Sequence, residues 1–175
     1  SSNHLVVAGH SEGATVAAKL ALENPKVTHL IFASGNPMGR IMTMIQKSRT
    51  VESDSIHYAE NDFDYWNYLN ETKNNKDSID YFAKTDYSFS VPPIEYLKKL
   101  KIPILVSYGS KDLSAPFNDY LRAWAIQNKK INFSFNGYVG LEHNFFGTDE
   151  FGKVDYAQFN WDKVADDWLK WIQEN

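Results

Sequence analysis

The 175-residue chain has no cysteine. That absence removes disulfide staples, thiolate zinc sites and a cysteine nucleophile together, and it leaves the compartment open. Positive charge is not in excess either: 18 Lys and Arg face 22 Asp and Glu, for a formal charge of −4. Phosphate binding wants a basic face, so nucleic acid is not expected as the main partner. No apolar run approaches the ~20 residues that a membrane span needs. The sequence also shows no Gly-rich phosphate loop, no metal-ligating constellation, no internal repeat and no low-complexity segment, and no cofactor is expected. What remains is a composition 43% apolar and 23% charged. Those are the proportions of a globular domain with a real core.

The first stretch has a clear rhythm. Leu5-Val6-Val7-Ala8 reads as a buried strand and runs straight into Gly9-His10-Ser11-Glu12-Gly13. Ala14 to Asn24 is rich in Ala and Leu and stops before Pro25, as a helix does. Val27 to Ala33 is a second short apolar strand, ending in the turn-like Ser34-Gly35-Asn36-Pro37. Strand, tight turn, helix and strand spell a βαβ unit, hence a parallel sheet covered by helices. The rhythm resumes with Ile102 to Tyr108, a buried strand with Pro103 at its start. The turn Gly109-Ser110-Lys111-Asp112, a helix over Pro116–Lys129 and a strand over Ile131–Phe135 follow. Trp161, Val164, Trp168 and Ile172 form the apolar stripe of a terminal helix. The fold class is α/β, with about four mostly parallel strands flanked by helices.

Residues 37–98 break this pattern. Nine aromatics (Tyr58, Phe63, Tyr65, Trp66, Tyr68, Tyr81, Phe82, Tyr87, Phe89) lie scattered among Asn, Asp and Lys between positions 56 and 90. The segment reads as a helical, aromatic-rich insertion. Helices are expected over Arg40 to Thr50 and Phe63 to Glu71, a solvated loop over Thr72 to Asp77, and a short helix over Ile94 to Leu100 after Pro92-Pro93. Residues 1–36 and 99–175 then make the core domain, with 37–98 inserted between its halves.

The chemistry begins at Ser11. Gly-X-Ser-X-Gly between a strand and a helix is the pattern of a nucleophile elbow. A serine in a sharp strand-to-helix turn is lifted above the sheet in a crowded backbone conformation, and flanking glycines relieve that crowding. The following helix aims its free N–H groups at the turn, where an oxyanion would develop, and the amide of Glu12 is the expected first donor. A serine needs a base, and the base an orienting acid. His10 abuts Ser11 but should point away from it, as a packing or hydrogen-bonding residue. His4 and His29 sit at strand starts, and His57 lies in the insertion. His143 falls in the loop Gly140-Leu141-Glu142-His143-Asn144-Phe145, after the last expected strand and before the final helix. Asp112 sits in the turn past a buried strand, where a parallel sheet presents its functional groups.

The order Ser11, Asp112, His143, each past a strand, resembles the α/β-hydrolase superfamily, loosely its serine esterase, prolyl-oligopeptidase and serine-aminopeptidase branch. The matching stretches are HLVVAGHSEG, IPILVSYGSKD and GLEHNFFG. The resemblance implies Ser11 as nucleophile, His143 as general base and then acid, and Asp112 as the group that holds the imidazole. It implies acyl transfer through an acyl-enzyme on a carboxylic ester, thioester or peptide, without a cofactor or metal. It also gives the insertion the place of a cap, whose aromatics either line a pocket or form the cap's own core. A non-catalytic module of the same fold, or an acyltransferase with the same three residues, would carry the same pattern. A dehalogenase would not, since it needs a carboxylate where Ser11 stands.

The family normally places further strands before the elbow and takes a second oxyanion N–H from one of their loops. The chain therefore resembles the C-terminal half of such a fold. Lacking one donor costs about 10²–10³ in rate, so weak activity or none is expected of this piece alone. Its serine-bearing strand (Leu5, Val6, Val7, Ala8) is expected to be an apolar edge through which the chain self-associates.

Overall fold

The computed structural model describes residues 4–73 and 81–175. Strand β1 (Val6–His10) leads into helix α1 (Glu12–Glu23), and β2 (His29–Ala33) follows. Three helices come next, α2 (Arg40–Arg49), α3 (Tyr58–Thr72) and α4 (Tyr81–Ser90), then a single turn of helix, α5 (Ile94–Leu97). The core resumes with β3 (Ile104–Gly109), α6 (Ala115–Gln127) and β4 (Phe133–Tyr138). A short pair, β5 (Phe146–Thr148) and β6 (Val154–Phe159), precedes the last helix, α7 (Trp161–Glu174). No helix among the described residues is long and apolar enough to cross a membrane.

The main sheet is parallel throughout, in the order β1-β2-β3-β4. β2 and β3 are buried along their whole length, which is why they read as continuous apolar runs rather than alternating ones. Side chains alternate across the sheet. Ile31, Ala33 and Leu105 share one face and form a core with Val164 and Trp171 of α7. Phe32 points the other way, where its ring meets Gly35 beside Ala14 of α1. The small residues Ala14, Ala17, Ala18 and Ala21 are the buried face of α1, and α1 packs on β1 and β2.

Several boundaries differ from the sequence reading. The strand expected over Ile131–Phe135 lies at Phe133–Tyr138, and Ile131 is 99% exposed. Pairing with β3 decides the matter, since the ladder runs from Ile104↔Phe133 to Gly109↔Tyr138. β3 begins at Ile104 rather than Ile102; Pro103 cannot donate to the ladder, though its carbonyl accepts the amide of Leu30 at 3.1 Å. The helix expected from Phe63 starts five residues earlier, and the one expected to reach Leu100 decays into turns after Leu97. Past the loop expected over residues 140–145, the hairpin β5–β6 adds two strands for which the sequence reading made no place before the last helix. Thr72 ends α3 and Lys73 caps it, whereas positions 74–77 of the expected loop lie outside the described residues.

The chain divides into two compact units, Ser1–Pro37 with Pro93–Asn175, and Met38–Pro92. The second unit has its own small core of Ile41, Ile45 and Ala59, with Met42, Met44 and Trp66 against it. Trp66 stacks on Tyr87 at 5.7 Å. Asp86 pairs with Arg40 and accepts a hydrogen bond from the Tyr65 hydroxyl at 2.7 Å. Arg40 also lies 4.6 Å over the Phe89 ring, and Tyr65 stacks on Tyr68 at 6.3 Å, so much of the insertion's aromatic content is engaged inside this unit.

Candidate active site

Ser11 occupies the turn between β1 and α1 with φ 59° and ψ −126°, a left-handed conformation that costs a non-glycine residue of order 1–3 kcal/mol. The turn is held from both sides. The Ser11 amide donates to the carbonyl of Ala33, the last residue of β2, at 2.9 Å, and the Ser11 carbonyl accepts the amide of Ala14 at 3.0 Å. A Cβ on Gly9 would stand 2.1 Å from the Gly13 carbonyl oxygen, so only glycine fits there. The expectation that both glycines relieve crowding needs correcting. A Cβ on Gly13 would meet nothing within 4 Å, and Gly13 matters through its carbonyl, which Gly9 leaves room for. Glu12, whose amide is the expected oxyanion donor, is the first residue of α1, where helical N–H groups point outward.

Asp112 lies in the turn after β3, 6% exposed. One carboxylate oxygen, Oδ1, accepts the amide of Ser114 at 2.8 Å, and Oδ2 faces His143 Nδ1 at 2.8 Å. Burial without such partners would be costly. The other ring nitrogen, His143 Nε2, is 2.9 Å from Ser11 Oγ. A carboxylate only accepts, so Nδ1 carries the proton and Nε2 receives the serine O–H. Three side chains from positions 11, 112 and 143 therefore form one continuous hydrogen-bonded line. The hydrogen bond to Asp112 raises the His143 pKa above its ordinary value of 6.5; burial opposes this, and the charges of Asp112 and Glu142 add to the rise.

The loop that carries His143 is built from backbone. The amides of Ser110 and Lys111 donate to the carbonyls of Tyr138 and Leu141, both at 2.9 Å. Ser110 Oγ accepts the amide of Gly140 at 2.9 Å. Glu142 Oε1 accepts the amides of Asn144 at 2.7 Å and Phe146 at 3.1 Å, closing a tight turn around His143. Gly109 allows the close approach, since a Cβ there would stand 2.2 Å from the Leu141 carbonyl oxygen. Glu142 and Gly109 escaped the sequence reading. Gly109 gave a signal, a glycine ending a buried strand beside Asp112, but its partner is a remote backbone that no spacing reveals. The other histidines lie elsewhere: His4 and His29 stack on each other at 4.6 Å at the opposite end of β2, and His57 precedes α3 in the helical unit. His10 reaches the backbone carbonyl of His143 with its Nε2, at 2.9 Å, and its ring lies 5.1 Å from the His143 ring.

Comparison with known proteins fits this arrangement. Residues 65–174, more than half of the chain, match the dienelactone hydrolase family. The chain belongs to that family. The matched span of this dienelactone hydrolase family member holds Asp112 and His143 and begins after Ser11. Among solved structures, an esterase of Pyrococcus furiosus superposes with a TM-score of 0.50 at 17% identity, over 81% of this chain and 47% of that one. Est1E from Butyrivibrio proteoclasticus gives a TM-score of 0.50 at 15% identity, over 98% and 60%. An acylaminoacyl peptidase of Pyrococcus horikoshii gives 0.50 at 11%, over 82% and 20%. At such identities the likeness is one of fold, and that fold is the α/β-hydrolase. The family member spans about half the length of the first of these structures. No curated protein matches it in sequence.

Proposed function

We propose that the chain carries the catalytic residues of a serine hydrolase that acts by acyl transfer on a small carboxylic ester, a thioester or a peptide. The supporting observation is the line Asp112–His143–Ser11, with steps of 2.8 and 2.9 Å. In this reading Ser11 Oγ attacks the substrate carbonyl while His143 Nε2 takes its proton. The tetrahedral intermediate collapses, the bond to the alcohol, thiol or amine breaks, and His143 hands its proton to that leaving group. Water then repeats the sequence on the acyl-enzyme. Asp112 stays ionised throughout, holding the imidazole and stabilising the imidazolium that forms. The amide of Glu12 at the start of α1 is the donor for the developing oxyanion. Residues 37–98 are proposed as the helical cap insertion of a core domain formed by 1–36 and 99–175.

A fluorophosphonate probe, which phosphonylates an activated serine, tests the reading. Stoichiometric labelling that vanishes in Ser11→Ala and falls steeply in His143→Ala is expected. Labelling that persists in Ser11→Ala, or none in a well-folded wild type even on long exposure to excess probe, would overturn it; a rate lowered by about 10²–10³ fits a single oxyanion donor.

A further inference from the structure

Five histidines are present, and the proposed reaction uses only His143. His10, the neighbour of Ser11, is tied to the same place by an independent contact. Its Nε2 lies 2.9 Å from the backbone carbonyl oxygen of His143. A carbonyl oxygen can only accept, so His10 Nε2 carries a proton and donates it. The ring is itself held by aromatic neighbours. It is tilted against Phe145 at 5.9 Å and meets the edge of Trp161 at 5.3 Å, while Phe145 and Trp161 pack against each other at 4.9 Å. Phe145 is fully buried in a left-handed backbone conformation (φ 59°), so the residue that walls His10 also fixes the end of the His143 turn.

These contacts define a mechanical problem and its solution. Asp112 and Ser11 hold the two nitrogens of the His143 ring, but they do not hold the backbone that carries it. That backbone lies outside the named strands; the turn over residues 142–146 holds one side of it, and the Leu141 carbonyl, which accepts the Lys111 amide, holds the other. We infer that His10 is a positioning residue for His143, fixing the backbone of the proposed base through a hydrogen bond from its own Nε2–H. The inference rests on the hydrolase reading above. It makes the elbow and the histidine loop one rigid piece, because the residue that precedes the nucleophile also clamps the base. A near-attack geometry is sensitive to small displacements, and a 1 Å shift can cost about 10²-fold.

Two substitutions in the full chain separate the donor from the packing. His10→Phe keeps an aromatic ring among Phe145 and Trp161 but removes the N–H. His10→Gln loses the ring but can place an amide N–H at a similar reach. Two readouts apply: the rate of fluorophosphonate labelling at Ser11, and the NMR resonance of the His143 Nδ1 proton shared with Asp112. His10→Phe is expected to retain the wild-type circular dichroism, to label about tenfold more slowly, and to broaden or lose the Nδ1 resonance. His10→Gln is expected to recover most of both. A folded His10→Phe with wild-type labelling and an unchanged resonance would overturn the inference. So would a His10→Gln as impaired as His10→Phe, since the ring and not its donor would then matter. A wild type that does not label defeats the hydrolase reading separately; the Nδ1 resonance still tests the link from His10 to His143.

Discussion

At the scale of single residues, His143 has a signature that can be measured. Its hydrogen bond to Asp112 is the leading reason its pKa stands above 6.5. As a base it must be neutral, so labelling of Ser11 should rise with pH through that elevated value rather than through the ordinary one. Stability runs the other way. A raised folded-state pKa contributes stability in full below the unfolded value of 6.5, and loses it as pH climbs through the folded value. The His143 side chain is 39% exposed, so solvent screening keeps the stability effect small. Asp112→Asn removes the main cause of the rise. An NMR titration of the imidazole should show its midpoint moving to lower pH, with labelling slowed by up to about 10⁴-fold. Glu142→Gln keeps an oxygen for the amides of Asn144 and Phe146 and removes only the smallest of the causes that raise the His143 pKa, so it should move the midpoint less in the same direction. That Ser11, Asp112 and His143 would come together could be read from the sequence because each follows a strand in the order expected of the fold; their chemical roles remain the proposal above. The role of His10 was not, because its partner is a carbonyl, which every residue has.

At the scale of elements, Gly13 of the turn pattern and Gly109 at the end of β3 make opposed predictions. Gly109→Ala pushes a methyl group into the carbonyls of Leu141 and Glu142, at 2.2 and 2.6 Å. Both are backbone atoms of the loop that carries His143, so the loop must move. A loss of about 1–3 kcal/mol is expected in denaturant unfolding, together with a drop in labelling larger than unfolding alone explains. Gly13→Ala meets open space inside α1, where alanine is the better helix former. It should be neutral or gain up to about 1 kcal/mol, with labelling retained. The sequence reading located the βαβ unit, α2, α6 and α7 to within a few residues, because their apolar spacing is set by burial. It misplaced β4, whose position comes from pairing with β3 and not from its own pattern. It missed β5–β6 because β5 has only three residues, the pairing carries a bulge, and most of β6 is exposed. With neither face buried along its length, such a strand leaves no alternation to read.

At the scale of the whole molecule, the sheet has two edges that differ in chemistry. β4 is flanked by cations: Arg122 lies 5.8 Å from the centroid of the Phe135 ring, and Lys98 and Lys130 flank Trp124, which packs edge-on against Phe133. Charge beside an edge strand discourages pairing with another chain. β1 has no such guard in its own sequence. Leu5 is 45% exposed, Val6 and Val7 are half-buried, and Ala8 is exposed, whereas β2 is wholly buried. On α1, which packs on β1 and β2, Val16 and Leu20 are 54% and 43% exposed. An apolar, unguarded edge strand is the kind of surface that a second copy can cover around a two-fold axis. We therefore expect the chain to self-associate through β1, with a sedimentation-velocity weight that grows with concentration from monomer toward dimer. Val7→Lys places a charge on that edge and should hold the chain as a monomer over the same range, with wild-type circular dichroism. A wild type that sediments as a monomer at every concentration, or a dimer that survives Val7→Lys unchanged, would remove β1 as the contact.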